Sequence, residues 1–179
     1  FNQICDFYNI PLSMGAMATG AKMPDWQAAL DNSFSTFMPV LTCTDMLTGA
    51  GMLNGSKIMC YQQVVMDCEI YGITRKVAEG IRVDADTLAV EVIKKVGVGG
   101  NFLSEKHTRK YMRDIWRPTV VDRTPYNVWE QSGRKGAYEK ATEIAQNALK
   151  NHKPLPIDPV ALAEIRKIIR AAEKELLGR

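Results

Sequence analysis

The sequence predicts an α/β fold, a parallel sheet whose strands are joined by helical crossovers. Two stretches carry this expectation. Ile10 to Asp25, IPLSMGAMATGAKMPD, is a short apolar run after a proline that passes through small residues into a helix start. Asp45 to Gly55 repeats the pattern, with an apolar run that ends in Gly49, Gly51 and Gly55 before a long helix. Strands that alternate with helices belong to parallel sheets, because a parallel return needs a long crossover. In such folds ligands sit on the loops that leave the C-terminal strand ends.

Taken in order, Phe1 to Tyr8 reads as the closing turns of an amphipathic helix. Asn9-Ile10-Pro11 stops it, since a residue before proline disfavours the helical region. Leu12 to Gly15 is the first strand. Pro24 and Asp25 then start a helix in which Trp26, Ala29, Leu30, Phe34, Phe37, Met38 and Leu41 recur at helical spacing. Pro39 kinks or ends it. Met46 to Gly49 is the second strand, and the glycines after it allow close backbone approach to a ligand. A long helix is expected from about Ser56 to Gly80, with Gly80 as its C-cap.

The remainder reads as helical. Asp84 or Asp86 caps a helix from Asp86 to Val96. Gly97-Val98-Gly99-Gly100 is a loop without the lysine and following hydroxyl of a phosphate-binding loop. Glu105 to Ile115 is a short basic helix, and Asp122 to Trp129 is an irregular aromatic segment. Gly136 to Asn151 is a helix with Tyr138, Ile144, Ala145 and Leu149 inward. Lys153-Pro-Leu-Pro156 is a rigid turn. Pro159 to Leu177 is the last helix, with Asp158 as N-cap.

The 179 residues are 46% hydrophobic and 24% charged, which fits a globular domain with a real core. No apolar run reaches the roughly 18 residues of a membrane span, so no membrane association is expected. There is no secretory signal pattern. The chain opens Phe1-Asn2-Gln3 with a helix already under way, which reads as a fragment starting in mid-domain. The net charge of +3 is unevenly spread. Residues 1–72 hold Lys22 and Lys57 against Asp6, Asp25, Asp31, Asp45, Asp67 and Glu69, while the later part interleaves its bases with acids. No stripe for nucleic acid is indicated.

Cys5, Cys43, Cys60 and Cys68 form no C-x-x-C pair, and only His107 and His152 could join them. No metal site is expected, and the thiols read as reduced cysteines of a cytoplasmic protein. Asp67 and Glu69 stand two apart and do not share a helical face. They read as buried or capping partners, not as an acid pair. His107 reads as a packing or surface histidine. Eight of the nine methionines precede residue 67, mostly as core, some as a soft pocket wall.

Several segments together resemble a known family. They are Ile10-Pro11, Thr19, Lys22-Met-Pro24-Asp25, Gly49-Ala-Gly51-Met-Leu53 and Gln63-Val-Val-Met-Asp67-Cys-Glu69-Ile70, then Gly99-Gly100-Asn-Phe-Leu103, His107-Thr108, Trp116-Arg-Pro118, Asp122-Arg123 and His152-Lys-Pro-Leu-Pro156. In this order they resemble the trimethylamine methyltransferase family, the MttB superfamily. The resemblance implies the C-terminal part of a TIM (β/α)8 barrel. Residues 1–82 would carry its last two parallel strands, and residues 83–179 a helical C-terminal region packed on the barrel. It also implies methyl transfer from a methylated amine to the Co(I) of a cobalamin-type corrinoid carried by a cognate partner protein, with no cofactor held tightly by this chain. The trimethylamine enzymes carry a pyrrolysine on the strand end before the T-x-x-K-x-P-D stretch. Ala18 stands there in this sequence. That places the chain nearer the branch resembling glycine betaine methyltransferase, which acts on quaternary amines.

Under this resemblance the substrate-binding candidates are Ala18, Thr19, Lys22, Asp45 and Tyr61. Ala18 and Thr19 line the site or merely form a tight turn. Lys22 orients a substrate carboxylate or is a surface lysine at a helix start. Asp45 offsets a quaternary ammonium or is structural at the N-terminal side of its strand. Tyr61 offers a cation–π face or packs in the core. No Ser-His-Asp or Cys-His set is present, in keeping with a displacement whose nucleophile belongs to the partner. The competing reading is an inactive, self-associating fragment that serves as an interaction module. An open sheet edge makes a homo-oligomer the expected state in either case.

Overall fold

The computed structural model describes residues 1–178. Contacts divide the chain into two units, Phe1–Gln146 and Asn147–Arg179.

The first unit opens with α1 (Asn2–Tyr8), which closes on Asn9 in the left-handed region. The strand β1 (Ser13–Gly15) follows, then α2 (Trp26–Leu41) and β2 (Met46–Thr48). β1 and β2 pair in parallel, with Met14 opposite Leu47. This is the expected strand–helix–strand crossover, with both strands shorter than expected. Asp25 caps α2 by accepting the Ala28 N–H. Pro39 lies inside α2, which runs only to Leu41 beyond it.

The next stretch departs from the expected helix. A small antiparallel hairpin, β3 (Met52–Leu53) and β4 (Ile58–Met59), occupies the region where the long helix was expected to begin. Asn54, Gly55 and Ser56 all take positive φ, 52°, 60° and 68°. Three successive left-handed residues build a turn and cannot begin a right-handed helix. The helix α3 therefore runs from Tyr61 to Ala78.

The apolar stripe of α2 also faces the other way. Its buried residues are Ala28, Asn32, Thr36 and Pro39, while Trp26 and Phe34 are 76% and 68% exposed. The small and polar side lies against α3 because Asn32 hydrogen-bonds a buried aspartate there. Close helix approach and a satisfied carboxylate together outrank the larger apolar face.

After α3 the unit is helical. α4 (Ala85–Leu88) and α5 (Val90–Val96) replace the single expected helix. Asp84 and Thr87 form a complete capping box, and Ala89 at φ 52° breaks the run. α6 (Lys106–Tyr111) is shorter than expected, and α7 (Tyr126–Gln131) is a helix where an irregular segment was expected. There Asp122 accepts from the Thr124 N–H and hydroxyl, and Pro125 supplies the N-cap with φ −57°. α8 (Ala137–Asn151) is a helix over the expected residues. It buries Ala141 and Ala145, whereas Tyr138, Ile144 and Leu149, expected inward, are exposed.

Segment 116–121 is fastened to α3. The Glu69 carboxylate accepts from the Thr119 and Val121 N–H groups and the Thr119 hydroxyl. Trp116 lies over Gly72, where an added Cβ would stand 2.2 Å from the ring. In the second unit α9 (Pro159–Leu177) starts on Asp158, whose carboxylate accepts from the N–H groups of Val160 and Ala161. Proline at the first helical position agrees with the sequence expectation.

Candidate functional site

The C-terminal ends of β1 and β2 meet in one platform. Gly49 takes φ 108°, and a Cβ there would stand 2.2 Å from the Ala16 carbonyl oxygen. Only glycine lets the two strand-end loops approach so closely. Beyond that point Ala18 bridges to Met52 in parallel fashion. The Asn54 N–H donates to the Ala21 carbonyl at 2.8 Å, and the Gly55 N–H to the Thr19 carbonyl at 3.0 Å. The hairpin β3–β4 is thereby stitched along loop 16–22.

Of the sequence-predicted residues, Ala18 lies exposed on this platform. Thr19 sits beside it but is 1% exposed. Its hydroxyl donates to Asp31 on α2 at 2.6 Å and accepts from the Ala21 N–H at 2.9 Å, so Thr19 pins the loop to the helix. Lys22 is exposed, with its Nζ donating to the Gly20 carbonyl at 2.5 Å. Tyr61 opens α3 just after the hairpin and is 56% exposed. Asp45 is not brought to these residues. It precedes β2 at the opposite, N-terminal end, where its carboxylate accepts the Leu12 N–H at 2.8 Å and ties the two strand starts together.

Beneath the platform lies a buried polar cluster. Asp67 of α3 is fully buried and accepts three hydrogen bonds. Asn32 Nδ2 and Gln63 Nε2 each donate to its Oδ1 at 2.7 Å, and the Gly51 N–H donates to Oδ2 at 2.7 Å. Burial pushes the Asp67 carboxyl above its usual range, and the bonds from Gly51, Asn32 and Gln63 only partly oppose that. The amide oxygens of Asn32 and Gln63 and the hydroxyl of Thr36 are buried with no hydrogen-bond partner among the described residues. Each such group costs about 1–3 kcal/mol. Both amides thus turn their donors to Asp67 at the expense of their own acceptors.

The sequence reading placed Asp67 as a buried or capping partner, named Gln63 only within the segment that carries the family resemblance, and did not single out Asn32 or Thr36. A readable signal existed. Asn32 with Thr36, and Gln63 with Asp67, are polar pairs at i,i+4 spacing on two consecutive helices. A cavity of about 450 Å³ lies alongside β2, with Met17, Asp45, Ala50, Asp67 and Tyr71 among its walls. No group of three or more His, Cys, Asp or Glu with metal-binding geometry occurs among the described residues.

The family described as trimethylamine methyltransferase matches residues 1–176. The chain belongs to that family. It is 35% identical over 176 residues to a trimethylamine methyltransferase of Methanosarcina barkeri (strain Fusaro), covering 98% of this chain and 36% of the relative. It is 35% identical over 173 residues to a trimethylamine methyltransferase of Desulfitobacterium hafniense (strain DCB-2), covering 97% and 35%. A glycine betaine methyltransferase of Desulfitobacterium hafniense (strain Y51) is 33% identical over 176 residues, covering 97% and 36%. The chain therefore spans little more than a third of the length of these relatives. No described helix is long and apolar enough to cross a membrane.

Proposed function

We propose that this chain forms part of a corrinoid-dependent methyltransferase acting on a quaternary methylated amine such as glycine betaine. The observation that carries the reading is the platform at the ends of β1 and β2, with Ala18 exposed on it and small residues around it. The parallel β1–α2–β2 crossover is the repeating unit of a TIM barrel, and such barrels place their sites at this end of the strands. In the proposed reaction the electron pair of Co(I) forms the bond to the methyl carbon. The carbon–nitrogen bond breaks and its pair leaves with the amine, so no proton moves. The methyl acceptor is the corrinoid of a cognate partner protein, a substrate rather than a group this chain holds.

Positioning supplies most of what a protein contributes to such a displacement. Ala18, Gly49 and Ala50, small residues at least partly exposed at this end of the strands, leave room for a flat macrocycle to approach. Tyr61, exposed at the start of α3, offers the substrate cation an aromatic face. A quaternary nitrogen is already a competent leaving group, which fits an alanine at position 18. All four cysteines are free, in keeping with a cytoplasmic setting.

The test supplies the chain with a reduced corrinoid protein and, in turn, glycine betaine, carnitine and trimethylamine. Transfer is followed by the corrinoid's visible absorbance. The same assay is run on a chimera in which residues 1–179 replace the matching third of the glycine betaine methyltransferase. Transfer from a quaternary amine is expected in the chimera, and turnover of trimethylamine alone overturns the substrate assignment.

A second reading, an inactive self-associating module, is favoured by the exposed apolar stripe of α2 and the open strand edges. Its mark is a homo-oligomer with no methyl transfer in either form of the assay. A homo-oligomer that also transfers methyl groups fits the first reading.

A further inference from the structure

At Gly51 the platform is gripped from beneath by the Asp67 side chain. The Gly51 N–H donates to Asp67 Oδ2 at 2.7 Å. Gly51 has φ 83°, and a Cβ there would stand 2.3 Å from Val64 Cγ2, so the backbone is pressed against α3 at this point. The Gly51 carbonyl accepts from the Cys60 N–H at 2.9 Å, which ties the return strand of the hairpin to the same residue. The next residue, Met52, bridges to Ala18. A continuous path thus runs from Asp67 through Gly51 and Met52 to the exposed alanine.

We propose that Asp67 is the positioning residue of the platform: its carboxylate, aligned by Asn32 and Gln63, fixes the Ala50–Gly51 peptide and so sets where the methylated amine lies beside Ala18. The inference rests on the methyl-transfer reading and adds a residue that acts through the backbone rather than on the reacting atoms. The orphaned amide oxygens support it. A site that needed only packing is better filled by apolar side chains, which leave no buried acceptor unserved. Here the fold keeps a buried carboxylate, turns two amides to face it and directs its second oxygen to one backbone N–H.

Two substitutions separate position from charge. Asp67→Ala removes the acceptor. Asp67→Asn keeps it: the new amide oxygen accepts from Gly51, and the new NH2 donates to the oxygens of Asn32 and Gln63 once both amides turn over. Gly51 amide hydrogen exchange in the 179-residue chain reads the grip without any turnover. Exchange is expected to quicken by at least about 100-fold in Asp67→Ala and by less than about tenfold in Asp67→Asn. In the methyl-transfer assay, kcat is expected to fall about 10- to 100-fold in Asp67→Ala with KM little changed, and to stay within about threefold of the parent in Asp67→Asn.

Slow Gly51 exchange in Asp67→Ala, or an undiminished kcat, overturns the inference. So does Asp67→Asn failing as badly as Asp67→Ala while Gly51 stays protected, since charge rather than position would then matter. If Asp67→Ala does not fold, Gln63→Leu removes one aligning donor and is expected to quicken Gly51 exchange alone. An unchanged rate in that variant overturns the inference too. If the parent transfers no methyl group from any amine, the methyl-transfer reading fails. The Gly51 series then still decides whether Asp67 holds the loop.

Discussion

Glu69 and Thr119, fifty residues apart, are joined three times. The Thr119 N–H is shared between the two carboxylate oxygens at 3.1 and 3.0 Å, and the Thr119 hydroxyl donates to Oε2 at 2.7 Å. With the added bond from the Val121 N–H at 3.4 Å, one side chain holds segment 116–121 on α3. Glu69→Ala should therefore destabilise the chain by about 1.5–3 kcal/mol, since the charged hydrogen bonds that the Glu69 carboxylate accepts from Thr119 and Val121 are lost. Urea unfolding of the two proteins measures this, and a loss below about 1 kcal/mol would show that the contact is dispensable.

Gly72 is the second fastening of the same segment. In a helix interior, alanine is normally favoured over glycine by up to about 1 kcal/mol. Here the added Cβ would stand 2.2 Å from Trp116 Cη2, well inside contact distance. Gly72→Ala should reverse the usual sign and destabilise by about 1–3 kcal/mol through overpacking. Thermal unfolding gives the sign, and a stabilised variant with unchanged tryptophan emission refutes the close contact.

Asp67 and Glu69 lie two residues apart on α3 yet should respond to pH with opposite signs. Burial raises Asp67 above 3.8, and its hydrogen bonds only partly counter this. Burial also pushes Glu69 upward, but the bonds from Thr119, Val121 and Val120 outweigh it and leave the carboxyl below 4.5. Folded Asp67 holds a proton that the unfolded chain has released, so its contribution falls as pH rises from 3.8 through its folded value. Glu69 contributes stability that is present above 4.5 and lost as pH falls through its lowered folded value. Across acidic pH, Asp67→Asn should remove the loss of stability that sets in as pH rises above 3.8, and Glu69→Gln should remove the loss that sets in as pH falls below 4.5. Variant curves parallel to the parent's would contradict both assignments.

The outward stripe of α2 predicts association. Trp26, Phe34 and Met38 are 76%, 68% and 60% exposed on a helix whose opposite side is buried. Exposed apolar area of this kind marks an interaction surface. A second copy is the expected occupant, so light scattering should show a dimer or larger species. The double substitution Trp26→Ser with Phe34→Ser should shift it toward monomer while leaving the α2–α3 hydrogen bonds intact. A monomeric parent at high concentration would remove this expectation.

The sequence by itself determined what depends on neighbours along the chain. Asp158 caps α9 as read, because an aspartate at that point reaches its own helix's free N–H groups. The two apolar runs became parallel strands because the helix between them forces a crossover. The family was legible too, carried by residues spread along the whole chain. Local pattern misled where tertiary contacts chose between faces. The apolar stripe of α2 marked a helix correctly but pointed its burial the wrong way, because spacing gives a face and not its direction. The hairpin at 52–59 was hidden by a turn in which Asn54 and Ser56 take left-handed backbones alongside Gly55. The Asp67 cluster draws on α2, α3 and the loop after β2. Gln63 reaches Asp67 from one turn away on α3, but only the packed fold brings Asn32 and the Gly51 N–H to the same carboxylate, because hydrogen bonding requires separation of a few ångströms between groups that the chain itself keeps far apart.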